Sequence, residues 1–424
     1  MADLSSIVNW AQQVNAQIDT LNPSGFAKLF SPLCEVLAWR QVGLLQESEI
    51  IDIGNKYFAK YDNQVGPGLK NLCVNYLSLC RLIATHPINW KDVLKRSSQL
   101  LDVWLDLYLD ERMQQYNWLV PCLHTICNIL FKCGSLADKQ ERVGGHFGDD
   151  EFPQDTDANS KEALNMIRSK LGRVRGEEDR HPAYIVLLGH SIKGCMQLGN
   201  MQMAAGFLKA IESTTINPES CPLGPLINFR YYLGKLHMQQ DRYKQADENL
   251  SWAFTYCGDK HIKAKRAILE CLVVVRICLG QLPPKLILKK YGMEHHLDIV
   301  KGIKIGNIQL FEQTLEKYIS IFIQKGTILC VERFKYLVIR TLVKRAKQWW
   351  NEAMPDQKPN MVPIPLFTAL VKWQIHNLDN DEMICLCANL IRLGYIKGYI
   401  SWEHQTLVFS KIQPFPPIIE TILE

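Results

Sequence analysis

The chain has 424 residues, 47% of them hydrophobic and 21% charged, with a formal net charge of +5. That length exceeds one small core and points to two domains or an elongated repeat array, while the apolar content excludes wholesale disorder. A charge so close to balance gives no blanket affinity for nucleic acid, so any such surface must come from local clusters of Lys and Arg.

The opening residues Met1-Ala2-Asp3-Leu4-Ser5 lack the basic and apolar regions of a signal peptide. The longest apolar stretch identified, Ile268 to Leu279, is interrupted by Glu270 and Arg276 and is too short to span a bilayer. The expectation is a soluble intracellular protein without membrane insertion. Of the fourteen cysteines, Cys73, Cys80, Cys122, Cys127, Cys271, Cys278, Cys385 and Cys387 fall within apolar helical patterns. They are expected as reduced core residues in a cytosolic or nuclear compartment. No paired CxxC sets occur, so no metal site is expected.

From Ile7 to Arg142 the pattern is helix after helix. Leu69, Leu72, Cys73, Tyr76, Leu77 and Cys80 recur at three and four residues, as do Leu101, Trp104, Leu105 and Tyr108. Trp90, Trp104 and Trp118 read as fillers between stacked helices. Gly144 to Asp157, rich in Gly, Pro and acid, reads as an exposed loop, and the flexible acidic region is placed near 144–160. Arg168, Lys170, Arg173 and Arg175 follow as a basic cluster that solvates one helix face.

Tyr232-Leu233-Gly234, then Tyr243, Ala246, Leu250 and Ala253-Phe254, match the tetratricopeptide pattern, in which small residues let two antiparallel helices approach. An imperfect echo lies at Leu198-Gly199-Asn200 and Ala204-Ala205. A long helix is predicted from Thr327 to Trp350, with Arg333, Arg340, Lys344 and Lys347 on one face and Phe334, Val338 and Leu342 turned elsewhere. Asn351 to Pro363 reads as a linker. Helices at Pro365–Trp373 and Asp381–Leu393 come next. Two β-rich runs follow, around Ile396-Tyr399-Ile400 and Leu407-Val408-Phe409, joined by Ser401 to Gln405. Helix, turn, helix and a two-stranded wing describe a winged helix.

The run Leu390-Ile391-Arg392-Leu393-Gly394-Tyr395-Ile396-Lys397-Gly398-Tyr399-Ile400-Ser401, with Val408-Phe409-Ser410-Lys411 and Pro414-Phe415-Pro416, resembles the end of a PCI domain. That module is shared by the proteasome lid, the COP9 signalosome and translation initiation factor three. Within the superfamily the sequence is most similar to the PCI-domain-containing protein two family, related to signalosome subunit-twelve-like proteins. The resemblance covers roughly the last half of the chain. It implies an all-α protein: a tetratricopeptide-like solenoid capped by a C-terminal winged helix. Residues 1–220 would hold N-terminal helical repeats, and 221–424 the PCI domain, with repeats to 354 and the winged helix from 355.

Catalytic motifs are weak. Gly189-His190-Ser191-Ile192-Lys193-Gly194 only faintly matches a nucleophile elbow, because its second Gly is one place too far. His295-His296 has no third metal ligand in sequence and reads as a surface turn. No phosphate-binding Gly-rich loop is present. The expectation is a non-catalytic protein without cofactors or a small-molecule substrate.

Two non-catalytic readings remain. Arg333, Arg340, Lys344 and Lys347, joined by Lys372, Arg392, Lys397 and Lys411, either line a strip that neutralises RNA or DNA phosphates without sequence preference, or simply meet water. Tyr399, Trp402 and Phe409 are candidates for an apolar partner-binding patch. The resemblance implies the large PCI-containing scaffold of the TREX-two mRNA export complex as partner, with the small acidic disordered subunit shared with the proteasome lid. It also implies a nuclear location at or near the pore, with a possible cytoplasmic pool. The alternative is a purely structural subunit of a signalosome-like or lid-like assembly.

Overall fold

The structure, a computed structural model, describes residues 4–31, 37, 39–64, 68–110, 117–144, 157–176, 178–212, 221–375 and 378–421. Most of the predicted acidic loop, residues 145–156, lies outside them. The chain divides into two compact units, 1–232 and 233–424.

The first unit has helices and no strand among its described residues. Its elements are α1 (Ser5–Asp19), α2 (Pro23–Leu29), α3 (Trp39–Gly43), α4 (Glu47–Tyr57), α5 (Ala59–Gln64), α6 (Leu69–Ala84), α7 (Trp90–Tyr108), α8 (Val120–Gly144), α9 (Ala158–Val174), α10 (His181–Gln197) and α11 (Met201–Glu212). From α6 to α11 each helix packs on the next, which is how a solenoid buries faces that no single helix pair could cover. The heptad-like spacing in α6 and α7 explains the packing: Leu72, Cys73, Tyr76, Leu101, Trp104 and Leu105 are all buried. Trp104 stacks on Tyr108 at 4.7 Å and Trp118 meets Phe26 edge-on at 4.9 Å, so both fill core space as expected.

Residues 117–143 are long and apolar enough to cross a membrane by length and composition. In the fold this segment packs against α2, α7, α9 and α10 and is largely buried, so its apolar surface is spent inside the unit. The basic cluster on α9 does more than meet solvent. Lys170 pairs with Asp102 at 2.5 Å and Arg173 with Asp106 at 2.7 Å, a two-rung ladder between α7 and α9.

Helix α12 (Leu223–Gln239) carries the chain into the second unit, followed by α13 (Tyr243–Tyr256), α14 (Ile262–Cys278), α15 (Lys285–Lys290), α16 (Leu297–Ile305), α17 (Ile308–Lys325) and α18 (Ile328–Ala353). The tetratricopeptide contact is present: a Cβ on Gly234 would lie 2.7 Å from Leu250 Cγ, so only glycine permits this approach. Ala246, Leu250 and Ala253 are fully buried beside it.

The winged helix comprises β1 (Met361–Pro363), α19 (Ile364–Gln374), α20 (Asn380–Arg392), β2 (Gly398–Ser401) and β3 (Thr406–Phe409), with α21 (Ile418–Thr421) closing the chain. Its sheet has the order β1-β3-β2, antiparallel at both pairings. The wing strands arise where expected. The segment read as a linker, however, contributes a third strand at its end, with Val362 opposite Leu407. Asp379 caps α20 by accepting from Glu382 N at 2.7 Å, and Glu382 reciprocates by accepting from Asp379 N at 3.1 Å. The described cysteines are reduced and buried except for Cys385, which is exposed on α20 against the sequence expectation. Burial pushes the Cys387 thiol up to about 12.

Candidate nucleic-acid and partner interface

The eight basic residues singled out in the sequence separate into two groups. The first is engaged by neighbouring elements of the same unit, although Arg333 itself remains exposed. Arg333 pairs with Asp241 in the α12–α13 turn and donates to Tyr243 Oη at 3.0 Å. Arg340 donates through Nε to the Tyr395 carbonyl at 3.1 Å and through Nη2 to the Pro416 carbonyl at 2.8 Å, with its guanidinium 5.8 Å from the centre of the Phe415 ring. Burial lowers the pKa of that guanidinium. Lys347 Nζ lies 5.5 Å from the centre of the Phe409 ring, and burial lowers its pKa as well. One face of α18 therefore serves as a seat for neighbouring elements of its own unit, and a 26-residue helix is long enough to reach both repeat and wing.

The second group faces outward. Lys344, Lys372, Arg392, Lys397 and Lys411 are exposed, and none has a side-chain partner among the described residues. Lys397 is held in place by its backbone, which accepts from Ser410 N at 2.8 Å and donates to the Pro414 carbonyl at 2.9 Å. The N-terminal end of α20 presents Asp379, Asp381 and Glu382, and its free amides are partly taken up by its own capping box. That end repels phosphate, so the outward cations suit backbone neutralisation and not base reading by α20.

The predicted apolar patch needs correction at one position. Tyr399 and Trp402 are 63% and 68% exposed, but Phe409 is only 3% exposed. It packs on Phe415 at 5.5 Å beneath Lys347 and belongs to the core of the wing. Strand alternation explains this: Leu407 and Phe409 point to the buried face of β3. Sequence reasoning missed Trp373, which is 84% exposed beside Lys372 on α19. Its signal was available, because Phe367 and Val371 already fill the inward stripe at i and i+4. The wing depends on Gly398, where a Cβ would come 2.3 Å from the Val408 carbonyl oxygen. β2 is one of the two edge strands of the sheet, β1 being the other.

One set of side chains among the described residues has the spacing of metal ligands: Glu270, His295 and His296, whose ligand atoms lie within 4.8 Å of one another. The histidines are buried against Phe322 at 5.6 and 5.5 Å, where a surface turn was expected. Both imidazole Nε2 atoms converge on Glu270 Oε1, at 2.5 and 2.9 Å. His296 Nδ1 finds no partner, so the outer hydrogen bond that orients a metal-bound imidazole is missing. The geometry is that of a hydrogen-bonded clamp joining α14 to the turn before α16. Burial raises the Glu270 pKa, but the two histidine bonds outweigh it and hold the carboxyl at about 2. The nucleophile-elbow resemblance fails too. Ser191 is buried in the middle of α10 and donates to the Leu187 carbonyl at 2.8 Å.

Comparison with known proteins agrees with this architecture. Residues 315–411 match the model of the PCI domain. The chain is 29% identical to a PCI domain-containing protein 2 of Xenopus laevis over 308 residues, 72% of this chain and 74% of that protein. It is 35% identical to a homologue of that protein from Dictyostelium discoideum over 224 residues, 52% of this chain and 50% of the other. It is also 25% identical to a protein CSN12 homolog of Neurospora crassa over 355 residues, 77% of this chain and 78% of that one.

Proposed function

We infer that this chain, which carries a PCI domain and is related along most of its length to proteins named PCI domain-containing protein 2, is a non-catalytic scaffold subunit of the nuclear-pore-associated TREX-two complex. In this reading the wing joins the large PCI-containing export scaffold, and the helical repeats receive the small acidic disordered subunit shared with the proteasome lid. The protein works in the nucleus, in mRNA export coupled to transcription. The observation that carries the reading is a pair of surface features: Tyr399 on the edge strand β2 and Trp402 in the turn after it, both exposed, and the exposed cations Lys372, Arg392, Lys397 and Lys411 of the winged helix with Lys344 of α18, which have no side-chain partner among the described residues. An edge strand offers backbone groups for pairing, and the exposed aromatics supply the anchor. Trp373 beside Lys372 adds a stacking face for single-stranded nucleic acid.

A second reading is favoured by the likeness to the CSN12 homolog: a purely structural subunit of a signalosome-like assembly. One experiment separates the two. The tagged chain is purified with its partners, identified by mass spectrometry, and titrated with nucleic acid at two salt concentrations. Recovery of the export scaffold, with affinity that falls steeply as salt rises, supports the first. Recovery of signalosome subunits without salt-dependent binding supports the second.

A further inference from the structure

In the first unit, α8, α9 and α10 enclose a pocket of about 690 Å³ whose floor includes Phe131 and Gly194. Its polar lining is dominated by Lys132, Lys139 and Lys193, with Ser135 and Gln197. Lys193 is half-buried, and its ammonium donates to the neutral Asn128 Oδ1 at 3.0 Å. None of the three lysines has a carboxylate partner among the described residues. The one acid in the lining, Asp157, is taken by Arg142 at 2.7 Å. Behind Lys193 lie His124 and His190, joined at 3.0 Å. Burial first, and then the Lys193 charge, lower the His124 pKa to about 4. Among the described residues the wall is thus rich in donors and its one acid is already paired with Arg142, and a half-buried ammonium in that position is costly unless an anion comes to it.

We propose that this pocket binds a small organic polyphosphate. Lys132 and Lys139 stand seven residues apart on α8, about 10 Å along the axis, with Lys193 facing them from α10. Three ammonium groups exceed the charge of one phosphate ester, which carries about −1.5 to −2 at neutral pH, and match two or more such groups. The volume is that of a small-molecule site and is far larger than one inorganic phosphate requires. Lysines without arginine give point charges on flexible stems, suited to several oxygens at varied angles. The site lies in the first unit and does not depend on the winged-helix reading.

The test is calorimetric titration of the full chain with inorganic tripolyphosphate and, separately, inorganic phosphate at constant ionic strength. The expected result is one saturable site for tripolyphosphate, about tenfold or more tighter than for phosphate. Lys193→Met and the double change Lys132→Gln/Lys139→Gln should each weaken it about tenfold or more. Lys344→Gln/Lys372→Gln should leave it unchanged. Lys132 and Lys139 are exposed, so their double variant keeps the result decisive where the Lys193 variant does not fold. Absence of saturable binding, equal affinity for the two anions, or undiminished binding in the pocket variants would overturn the proposal.

Discussion

Arg340 on α18 and Pro416 near the end of the chain are joined by a 2.8 Å hydrogen bond from guanidinium to carbonyl, and the Tyr395 carbonyl takes a second bond from the same side chain. One cation thereby fixes the chain both before and after the wing. Hydrogen bonds to charged groups contribute roughly 1.5–3 kcal/mol each, so Arg340→Ala, which loses two, should cost about 3–6 kcal/mol of stability in denaturant unfolding. Lys cannot restore both bonds, because only the planar fork reaches two acceptors at once. Full stability in Arg340→Lys would refute this role. A charge reversal here would confuse stability with nucleic-acid binding and is a poor probe of the latter.

The outward cations supply the clean probe. Lys344→Gln, Lys372→Gln and Lys411→Gln alter exposed side chains without described partners, and each should change stability by no more than about 0.5 kcal/mol. If they contact phosphate, each should lower the slope of log affinity against log salt by about 0.7 on single strands and 0.9 on duplex. An unchanged slope in the triple variant would mean that these lysines only meet water.

Two aromatic residues of the wing should behave oppositely. Phe409→Ala empties a core position and should cost about 3–5 kcal/mol. Trp402→Ala should leave the melting temperature nearly unchanged yet reduce recovery of the partner, since exposed aromatic anchors commonly carry 2 kcal/mol or more, roughly, of binding energy. Undiminished partner recovery in a Tyr399→Ala/Trp402→Ala variant would move the interface elsewhere.

The clamp of Glu270 with His295 and His296 sets an acid limit. Glu270 has a folded pKa of about 2, below its ordinary value, so its stabilisation is complete above the unfolded carboxylate range and is lost as pH falls towards 2. The His296 pKa is lowered, chiefly by burial, so protonation near and below its ordinary value of 6.5 also favours unfolding. His296 therefore predicts stability that declines as pH drops below about 6.5, and Glu270 adds to the decline only below the ordinary carboxylate value of 4.5. Glu270→Gln weakens both histidine bonds and should cost roughly 1–3 kcal/mol at neutral pH while flattening the most acidic part of the profile. A wild-type profile that is flat from pH 7 to 4 would contradict this.

Periodicity made the helices legible, and the residues from Leu390 to Pro416 made the winged helix so. The pairing of long-range groups was not legible. Helical spacing placed Arg333, Arg340 and Lys347 together correctly, but it carries no information about Asp241, Tyr395 or Phe409, which meet them across 60 or more positions of sequence in two of the three cases. Glu270 likewise stands far in sequence from the histidines it holds, so the trio was invisible as a cluster. β1 escaped notice because Met361-Val362-Pro363 is too short to show alternation, and its partner β3 lies on the far side of two helices.

The seating of Arg340 and Lys347 on the wing also determines where the molecule can be cut. A fragment beginning at 355, where sequence places the winged helix, would lose both cations and expose the ring faces of Phe409 and Phe415 to water. A self-sufficient fragment has to begin upstream of Ile328, so that α18 travels with the wing it supports.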